Sequence, residues 1–395
     1  MAMNVSKGSI KLTGSTLQDE MLKKHNEYII RSSLPQGVFP PIVSPTFTAY
    51  AGTYPKWMDK DGNIWATNTG NIYKSTDYGA TWTNITALAV NTVTNGDIYD
   101  GALLVSDTGR VIVCTMTGKV IVSDTTPANP AVAFTFTGGY TSRFFTHVMC
   151  GNIILLGAYG VYNAVAPPKE VYMSADSGAT WVKVFDGTPI DAASYHIHDV
   201  EYDPYANRIW VAVGDNAQDS NIWYSDDFGA NWTKVFNSPI PNYAKVTQII
   251  AFPHGVLFGS DSATDGFRYW PRPKGIMQSA VSSSDIISDF LLLDASGAFN
   301  QFATRRWNVR HKDLQVCIIP WTKETSATTC YPRLIASTDG LAWYEIYRHP
   351  SAQKGFDNII GPFPGDPNRT IVGSFEDTDG TKKIFSASLP SFVGE

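Results

Sequence analysis

The sequence has few charged residues, no excess of positive charge and no long apolar run. Asp, Glu, Lys and Arg make up 17% of its 395 residues, below the roughly 25% of an average soluble domain. The 30 Lys and Arg are outnumbered by 36 Asp and Glu, which argues against nucleic acid or an anionic membrane surface as a partner. Because no apolar stretch is long enough to cross a bilayer, membrane insertion is not expected either.

Cysteines are also scarce and lie far apart. They are Cys114, Cys150, Cys317 and Cys330. No two of them form a C-x-x-C pair, so neither a zinc ribbon nor a disulfide-dense scaffold is indicated. We interpret them as reduced core residues, with a bridge between Cys317 and Cys330 as the less favoured alternative.

The abundant residues favour β-structure. The chain has 32 Gly, 23 Pro and 13% aromatic residues, and 43% of it is hydrophobic. This composition suits many short strands that are joined by tight turns around a large core. No nucleophile elbow, phosphate-binding glycine loop or closed metal signature appears, so we predict no cofactor.

A short pattern recurs along the chain. Its full copies are STDYGATW at 75–82, SADSGATW at 174–181 and SDDFGANW at 225–232, and a shorter copy is STDGLAW at 337–343. Each copy lies between runs of alternating polar and apolar residues, which predicts a turn inside a β-hairpin. In such a turn Asp accepts hydrogen bonds from backbone amides, Gly takes the position with φ > 0, and Trp packs against the neighbouring hairpin.

These copies resemble the Asp-box, or BNR repeat, of sialidase-like β-propellers. The resemblance implies the propeller fold and specifies no activity. It also implies that the aspartates of the turns are structural and lie on the side away from the ligand face. Those residues are Asp77, Asp176, Asp227 and Asp339.

The spacing of the copies predicts the number of blades. Three weaker copies are anchored on strands that run into a serine, at 119–123, 275–279 and 383–386. The seven serines are then 48 to 58 residues apart, which is the period of a four-stranded blade. We therefore predict an all-β, seven-bladed propeller of four-stranded antiparallel blades, with six blades as the alternative. A strand at 46–51 is expected to complete the last blade and close the ring.

The residues before this region have a different pattern. Apolar side chains between 16 and 31 cluster on one helical face, and four prolines follow between 35 and 45. We divide the chain into a helical stem or oligomerisation segment at 1–34, a Pro-rich connection at 35–45 and the propeller at 46–395. A short helix that packs on the propeller is the alternative to a stem that holds three copies together.

A helical stem, a proline connection and a propeller with these repeats together resemble the receptor-binding (tail fibre) proteins of tailed bacteriophages. The resemblance implies a homotrimer in the virion whose partners are other tail proteins and a cell-surface glycan. Outside that context the expected location is extracellular.

Candidate ligand-binding residues come from the loops between second and third strands, which open on the face opposite the repeated turns. Four of these loops are long, and loops on a rigid scaffold commonly carry binding residues. Aromatic rings interleaved with amides and charged groups suit sugars. With the start of a neighbouring strand, these loops supply Tyr159, Tyr162, His196, His198, Asp215, Asn216, Arg268, Tyr269, Trp270 and Trp321. For Tyr269 and Trp270 the alternative is that they only anchor their own loop.

Two of these residues form a His-X-His pair. Residues two apart on a strand share a face, so His196 and His198 are expected to point the same way at the start of the innermost strand of the fourth blade. With Asp215 they can hold a divalent metal. Because no further ligand stands at a fixed spacing, we favour a structural role with the imidazoles hydrogen-bonded beneath the rim.

The sequence favours binding over catalysis. The Arg-Ile-Pro segment of sialidases is absent. Other glycosidases need two carboxyl groups that flank the scissile bond. The nearest candidates for such a pair in this sequence are Asp199, Glu201, Asp215 and Asp219. We predict a non-enzymatic, carbohydrate-binding host-recognition protein that attaches to bacterial cell-surface polysaccharide. A glycoside hydrolase acting on extracellular or cell-surface polysaccharide is the alternative, and a protein-binding scaffold is a third possibility.

Overall fold

The computed structural model describes the chain between residues 42 and 389. The residues outside this description are 1–41, 43, 50–53, 69–70, 86–97, 116, 127–128, 137–142, 160–168, 188–195, 215–219, 237–243, 253–254, 261–266, 273–279, 282–285, 292–316, 322–331, 338–343, 352, 354, 362–367 and 390–395. Every element of the described part is a β-strand, in agreement with the all-β prediction. The helix predicted between 16 and 31 lies outside it. Across the described ranges there is no helix with the length and apolarity that crossing a membrane requires.

The described residues form 27 strands. The first nine are β1 (Thr46–Ala49), β2 (Tyr54–Met58), β3 (Ile64–Asn68), β4 (Asn71–Ser75), β5 (Thr83–Asn84), β6 (Ile98–Val105), β7 (Val111–Thr115), β8 (Lys119–Val122) and β9 (Ala131–Thr135). The next nine are β10 (Arg143–Cys150), β11 (Ile153–Tyr159), β12 (Glu170–Ser174), β13 (Val182–Asp186), β14 (Ile197–Asp203), β15 (Arg208–Val213), β16 (Asn221–Ser225), β17 (Thr233–Lys234) and β18 (Val246–Phe252). The last nine are β19 (Gly255–Ser260), β20 (Phe267–Pro271), β21 (Ile287–Leu291), β22 (Cys317–Trp321), β23 (Arg333–Ser337), β24 (Tyr344–Arg348), β25 (Gly355–Ile360), β26 (Thr370–Glu376) and β27 (Lys382–Ser388).

These strands build a β-propeller from consecutive antiparallel sheets. Blades 1 to 5 are β2–β5, β6–β9, β10–β13, β14–β17 and β18–β21, and the closing blade has the order β25-β26-β27-β1. A further sheet, β22–β24, has three strands in the described part of the chain. The six four-stranded blades fall within the range of six or seven that the repeat spacing predicts. In the three-stranded sheet, β22 contacts β25, the first strand of the closing blade. The second strands of blades 1, 3 and 4 contact the first strand of the next blade in the same way.

The N-terminal strand closes the ring. β1 pairs with β27, with Thr46 opposite Ser386 and Ala49 opposite Lys383. The prediction that a strand at 46–51 completes the last blade is therefore confirmed over 46–49, and residues 50 and 51 lie outside the described part. Closure removes an open sheet edge, because the two ends of the repeat region share one sheet.

One residue of the predicted Pro-rich connection is part of this packing. Ile42 donates its backbone N–H to the carbonyl of Ile346 on β24, at 2.7 Å. Its side chain is 7% exposed and belongs to the apolar cluster that contains Leu334 and Phe385. Ile42 thus joins the three-stranded sheet to the closing blade before the chain enters β1.

The core lies between neighbouring blades, around the first strands. β14 packs against β10 on one side and β18 on the other, and all seven residues of β14 are buried. Each first strand of the four-stranded blades also has an irregular register against its second strand. In five of these strands one residue is skipped in the pairing: Lys56 in β2, Phe145 in β10, His198 in β14, Thr247 in β18 and Asp357 in β25. In β6 the shift lies between Ile98 and Leu103. Bulges of this kind increase twist and change the direction of side chains.

One predicted strand is wrong. The sequence predicts the third strand of the fifth unit at 275–279, whereas that strand is β20, in which Arg268 pairs with Phe258 and Trp270 with Val256. That prediction depends on Ser279, which has no Ser-X-Asp turn after it. The aromatic residues before it have high β-propensity and form the strand instead. Residues 275–279 themselves lie outside the described part.

Candidate functional site

The turns between third and fourth strands have the same geometry in blades 1, 3 and 4, and we call them the Ser-Asp turns (75–82, 174–181 and 225–232). In the first, the Ser75 hydroxyl donates to the Asp77 carboxylate at 2.7 Å, and the amides of Gly79 and Thr81 donate to Ser75 Oγ and Asp77 Oδ1, both at 2.8 Å. The other two turns repeat these bonds. The shorter copy at 337–343 falls largely outside the described residues. The side of the propeller that carries these turns is the turn face.

Hydrogen bonds keep the turn aspartates charged. The Thr81 hydroxyl, followed by its amide, lowers the pKa of Asp77, and Asn231 does the same for the pKa of Asp227. For Asp176, slight burial acts to raise the pKa, but hydrogen bonds from Thr180, Ser174 and a backbone amide lower it to about 2. Carboxylates whose oxygens already accept bonds within their own turn are structural acceptors rather than proton-transfer groups.

The tryptophan of a Ser-Asp turn contacts the preceding blade. Trp232 Nε1 donates to the carbonyl of Val184 on β13, at 2.9 Å, and its ring lies edge-on against Phe185. The predicted packing of this tryptophan against the neighbouring hairpin is confirmed. In blade 3, Trp181 Nε1 donates instead to Gly178 within its own turn.

Three predicted ligand-binding residues are buried. Arg268, Tyr269 and Trp270 are 3%, 0% and 1% exposed and lie on β20. The prediction that they stand on a long exposed loop is therefore wrong. The connection from β19 to β20 spans only 261–266, because the residues assigned to the loop continue the sheet.

Trp270 lies in a cluster of arginines and aromatic rings beneath the Ser-Asp turn of blade 4. Its ring centroid is 5.7 Å from the guanidinium carbons of both Arg208 and Arg272. Arg208 makes a bidentate pair with Asp226, at 2.6 and 2.8 Å, and Arg272 bonds Asp203 at 2.5 Å. Arginine pairs its charge with a carboxylate while its plane stacks on an aromatic ring. The cluster therefore joins blades 4 and 5 near the turn face and leaves no surface of Trp270 for a sugar.

The opposite face carries a second cluster where blades 3, 4 and 5 meet. Tyr159 ends β11, and its ring centroid is 3.9 Å from that of His196, just before β14. His196 Nε2 lies 2.9 Å from His198 Nε2, and His198 Nδ1 lies 3.1 Å from the carbonyl oxygen of Val246 on β18. The prediction that the two histidines point the same way is confirmed. Tyr159 is partly exposed, whereas His196 and His198 are 1% and 3% exposed.

These distances determine which ring nitrogens carry hydrogen. A carbonyl oxygen only accepts, so Nδ1 of His198 must be the donor to Val246. In a neutral ring Nε2 of His198 is then an acceptor, and Nε2 of His196 must donate to it. This arrangement agrees with the predicted role of imidazoles that are hydrogen-bonded beneath the rim.

A buried carboxylate ties the same three blades together. Asp199 is 1% exposed and accepts hydrogen bonds from the Thr146 hydroxyl on β10 and from the amide of Ile249 on β18, the latter at 2.6 Å. Thr146 Oγ1 also accepts from the amide of Val200, at 3.2 Å. Sequence reasoning considered Asp199 only as a glycosidase carboxylate and missed this role. The available signal was a charged residue inside an otherwise buried strand, which implies a partner.

The other predicted ligand-binding residues fall outside what the structure describes. Tyr162, Asp215 and Asn216 belong to ranges that are not described, and Trp321 ends β22 with its side chain outside the description. The strand bounds nevertheless show an uneven rim. The second-to-third connections at 160–169, 214–220 and 322–332 are longer than those at 69–70 and 116–118.

Comparison with known proteins shows the fold and no family. No family model matches the sequence, and no curated protein matches it. Similar solved structures include U3-55K (TM-score 0.56, 8% identity, covering 89% of this chain and 100% of that chain) and a chain of the mitotic checkpoint complex (TM-score 0.53, 8% identity, 91% and 95% covered). YCF48 from Cyanidioschyzon merolae is another (TM-score 0.51, 13% identity, 88% and 99% covered). At these identities the likeness supports a β-propeller, a general scaffold for binding and recognition.

Proposed function

We propose that this chain is a carbohydrate-binding recognition protein whose ligand lies on the face opposite the Ser-Asp turns. In the form suggested by the sequence layout, it is a receptor-binding protein of a phage tail that attaches to bacterial cell-surface polysaccharide. The observation that carries the proposal is the partly exposed ring of Tyr159 above the buried histidine pair.

Tyr159 has the properties of a sugar-stacking residue. Its ring is held by His196 at a centroid distance of 3.9 Å, so little side-chain freedom remains to be lost on binding. It also stands at the start of the long connection at 160–169. That connection carries a second aromatic ring, Tyr162, and an amide, Asn163. Aromatic rings beside a hydrogen-bonding group favour a sugar, whose CH face stacks while its hydroxyl groups hydrogen-bond.

Binding is favoured over hydrolysis by the two candidate carboxylates that the structure describes; Asp215 and Asp219 lie outside the described residues. Asp199 and Glu201 are 1% and 2% exposed, and Asp199 accepts bonds from two neighbouring blades. A glycosidase needs two carboxyl groups that flank the scissile bond. These two carboxyl groups face no solvent from which a glycan could approach.

Size-exclusion chromatography with candidate bacterial polysaccharides tests the function. We expect full-length glycan to co-elute with the protein. Tyr159→Ala should weaken binding by about tenfold, because the lost stacking contributes roughly 1.4 kcal/mol to the binding free energy. Tyr205→Ala is the matched control, because Tyr205 is 37% exposed in the β14–β15 turn on the turn face, and it should bind like wild type.

Shortened glycan would make the protein a hydrolase, and equal losses in both tyrosine variants would contradict the proposed face. Absence of co-elution with every glycan would favour the protein-binding scaffold.

The N-terminal segment is proposed to form the trimeric stem and to contact other tail proteins. Deleting residues 1–41 tests this, since a deletion through residue 45 would also remove the buried Ile42. We expect the mass in solution to fall from that of a trimer to that of a monomer while the propeller stays folded. An unchanged mass would contradict the stem.

A further inference from the structure

A cluster of aromatic rings lies where the outer strand of the three-stranded sheet meets the outer strand of the closing blade. The ring of Phe47 on β1 is 6.4 Å from that of Tyr347 on β24, and 5.5 Å from that of His349, to which it lies edge-on. Phe375 stacks on His349 at 4.9 Å and is 1% exposed, whereas the other three rings are partly exposed. We call these four residues the outer aromatic cluster.

The outer aromatic cluster is a surface suited to an uncharged, apolar segment. Burial raises the pKa of Tyr347 to about 12, because apolar groups surround much of its phenol ring. The charged side chains of the same strand, Glu345 and Arg348, pair with each other at 2.9 and 3.0 Å. Aromatic rings that are only partly covered, with no carboxylate or ammonium group among them, favour an apolar partner.

The chain that leads into the propeller arrives beside this cluster. Ile42 donates its N–H to the carbonyl of Ile346, at 2.7 Å, and Tyr347 is the next residue of β24. Ile346 is skipped in the pairing of β24 with β23. The side chain of Ile42 belongs to the same apolar cluster as Phe47 and Tyr347. Because an extended residue spans at most about 3.6 Å, residues 39–41 lie within about 11 Å of Ile42 and have the rings within reach.

The composition of residues 35–41 suits an aromatic surface. Their sequence is PQGVFPP, and no charged residue stands between Arg31 and Lys56. Proline-rich segments favour the extended polyproline conformation before they bind, so they lose little entropy on docking to surfaces lined by aromatic rings. Phe39 adds a further ring, which can pack edge-on or offset against the rings of the cluster.

We propose that residues 35–41 form a strap that binds to the outer aromatic cluster of their own propeller, with Phe39 packed on Phe47 and Tyr347. The strap is covalently joined to Ile42, which is already docked. Its effective concentration at the cluster is therefore high, and this favours the segment of the same chain over that of a second copy.

The strap covers the outer edge of β24, which is the last strand of its sheet in the described part of the chain. Pro40 and Pro41 carry no N–H, so the strap itself exposes few hydrogen-bond donors, as is usual for edge strands. It gives the N-terminal segment a fixed point of departure between the three-stranded sheet and the closing blade. This inference depends neither on a glycan nor on the oligomeric state.

Hydrogen exchange of the full-length protein tests the strap. We expect the amides of Val38 and Phe39 to exchange at least about tenfold more slowly than those of an unstructured chain. Phe39→Ala and Tyr347→Ala should each return Val38 to the rate of an unstructured chain. Tyr205→Ala is the matched control, because Tyr205 is 37% exposed on the turn face, and it should leave that rate unchanged.

Phe39→Ala removes no residue of the propeller, and the exchange of the β14 amides reports in each variant whether the propeller is folded. Exchange of Val38 and Phe39 at the unstructured rate in the wild-type protein would overturn the strap. Unchanged protection of Val38 in Phe39→Ala would do the same.

A photo-cross-link identifies the surface and the chain to which the strap binds. Benzoylphenylalanine in place of Phe39 should cross-link to β1 or β24 on irradiation. In protein refolded from an equal mixture of normal and isotope-labelled chains, each cross-link should join two peptides with the same label. Cross-links between differently labelled peptides would show that a second copy is the occupant, and cross-links to other strands would show another surface. Either result contradicts the proposal.

Discussion

The turn face and the opposite face of the propeller are organised by different kinds of contact. On the turn face, three Ser-Asp turns repeat the same hydrogen bonds, each within five residues of the chain. On the opposite face the side chains differ from blade to blade, and the bonds of Asp199 and His198 run to other blades. Turns built from local contacts can be copied along a repeat. A face built from contacts between blades can acquire a specific site.

The junction of blades 4 and 5 has contacts between blades at both of its ends, one enclosed and one partly open. Near the turn face, Trp270 is enclosed by Arg208 and Arg272. At the other end of the same junction, His198 reaches Val246. The first cluster is enclosed, whereas the second has the partly exposed Tyr159 beside it.

The largest expected effect comes from Trp270, whose substitution separates stability from binding. Trp270→Ala should lower the free energy of unfolding by about 4 kcal/mol, because it empties a buried site between two arginines. Tyr159→Ala should change it by less than about 0.5 kcal/mol, since its ring is partly exposed. Urea unfolding of both variants measures the difference. Equal losses would show that the two clusters are not distinct in role.

Glycines of the Ser-Asp turns separate local strain from contacts between blades. Gly79 and Gly229 have φ values of 89° and 92°. A Cβ at Gly229 would lie 2.6 Å from Val184 Cβ, whereas the nearest atom to one at Gly79 would be 3.5 Å away. We expect Gly229→Ala to cost about 3 kcal/mol and Gly79→Ala about 1 kcal/mol.

Thermal or urea unfolding of the two glycine variants is the check. Gly79 and Gly229 have the same backbone conformation. The difference between the two losses in the free energy of unfolding therefore measures the cost of pushing blade 4 away from blade 3. Identical costs would mean that the turn conformation alone matters.

Asp199 tests how strongly the opposite face depends on contacts between blades. Asp199→Asn keeps the volume, but its amide group cannot accept bonds from both Thr146 and Ile249. We expect a loss of about 2 kcal/mol in the free energy of unfolding, the cost of one buried donor without an acceptor. Thr146→Val in the same background should add only the cost of the bond from the Val200 amide, because the bond between Thr146 and Asp199 is removed by either change. Full additivity of the two losses would contradict the bridge.

The smallest effect should be the acid response of Asp176. Its pKa is lowered from 3.8 to about 2 in the folded chain, so the charged form is the one that the fold stabilises. Its contribution is present above about pH 4 and is lost as the pH falls through about 2. The carboxylate is exposed, and solvent keeps this contribution modest.

An NMR titration of the Asp176 carboxyl carbon checks its pKa. Melting temperatures between pH 5 and pH 2 should fall less for Asp176→Asn than for wild type. A pKa near 3.8 in the folded protein would contradict the hydrogen-bond account.

Local signals in the sequence allowed several elements to be predicted closely. The strand predicted at 383–386 lies within β27, and β1 joins β27 as the predicted ring closure requires. The shared direction of His196 and His198 followed from their spacing on a strand. By contrast, the sequence alone places Arg268 to Trp270 in a loop, because aromatic residues beside two prolines are compatible with a loop or an edge strand. In the folded protein these three residues pair with β19 and therefore form a strand.

The amino-acid sequence by itself determined the Ser-Asp turns and the alternation of strands, since both depend on residues a few positions apart. Only the tertiary structure decided which side chains of different blades meet. Thr146 and Ile249 reach Asp199 from 53 and 50 residues away, and a shift of one residue at a bulge would turn each side chain to the other side of its strand. Such contacts depend on the register of three strands at once, which no short stretch of sequence specifies.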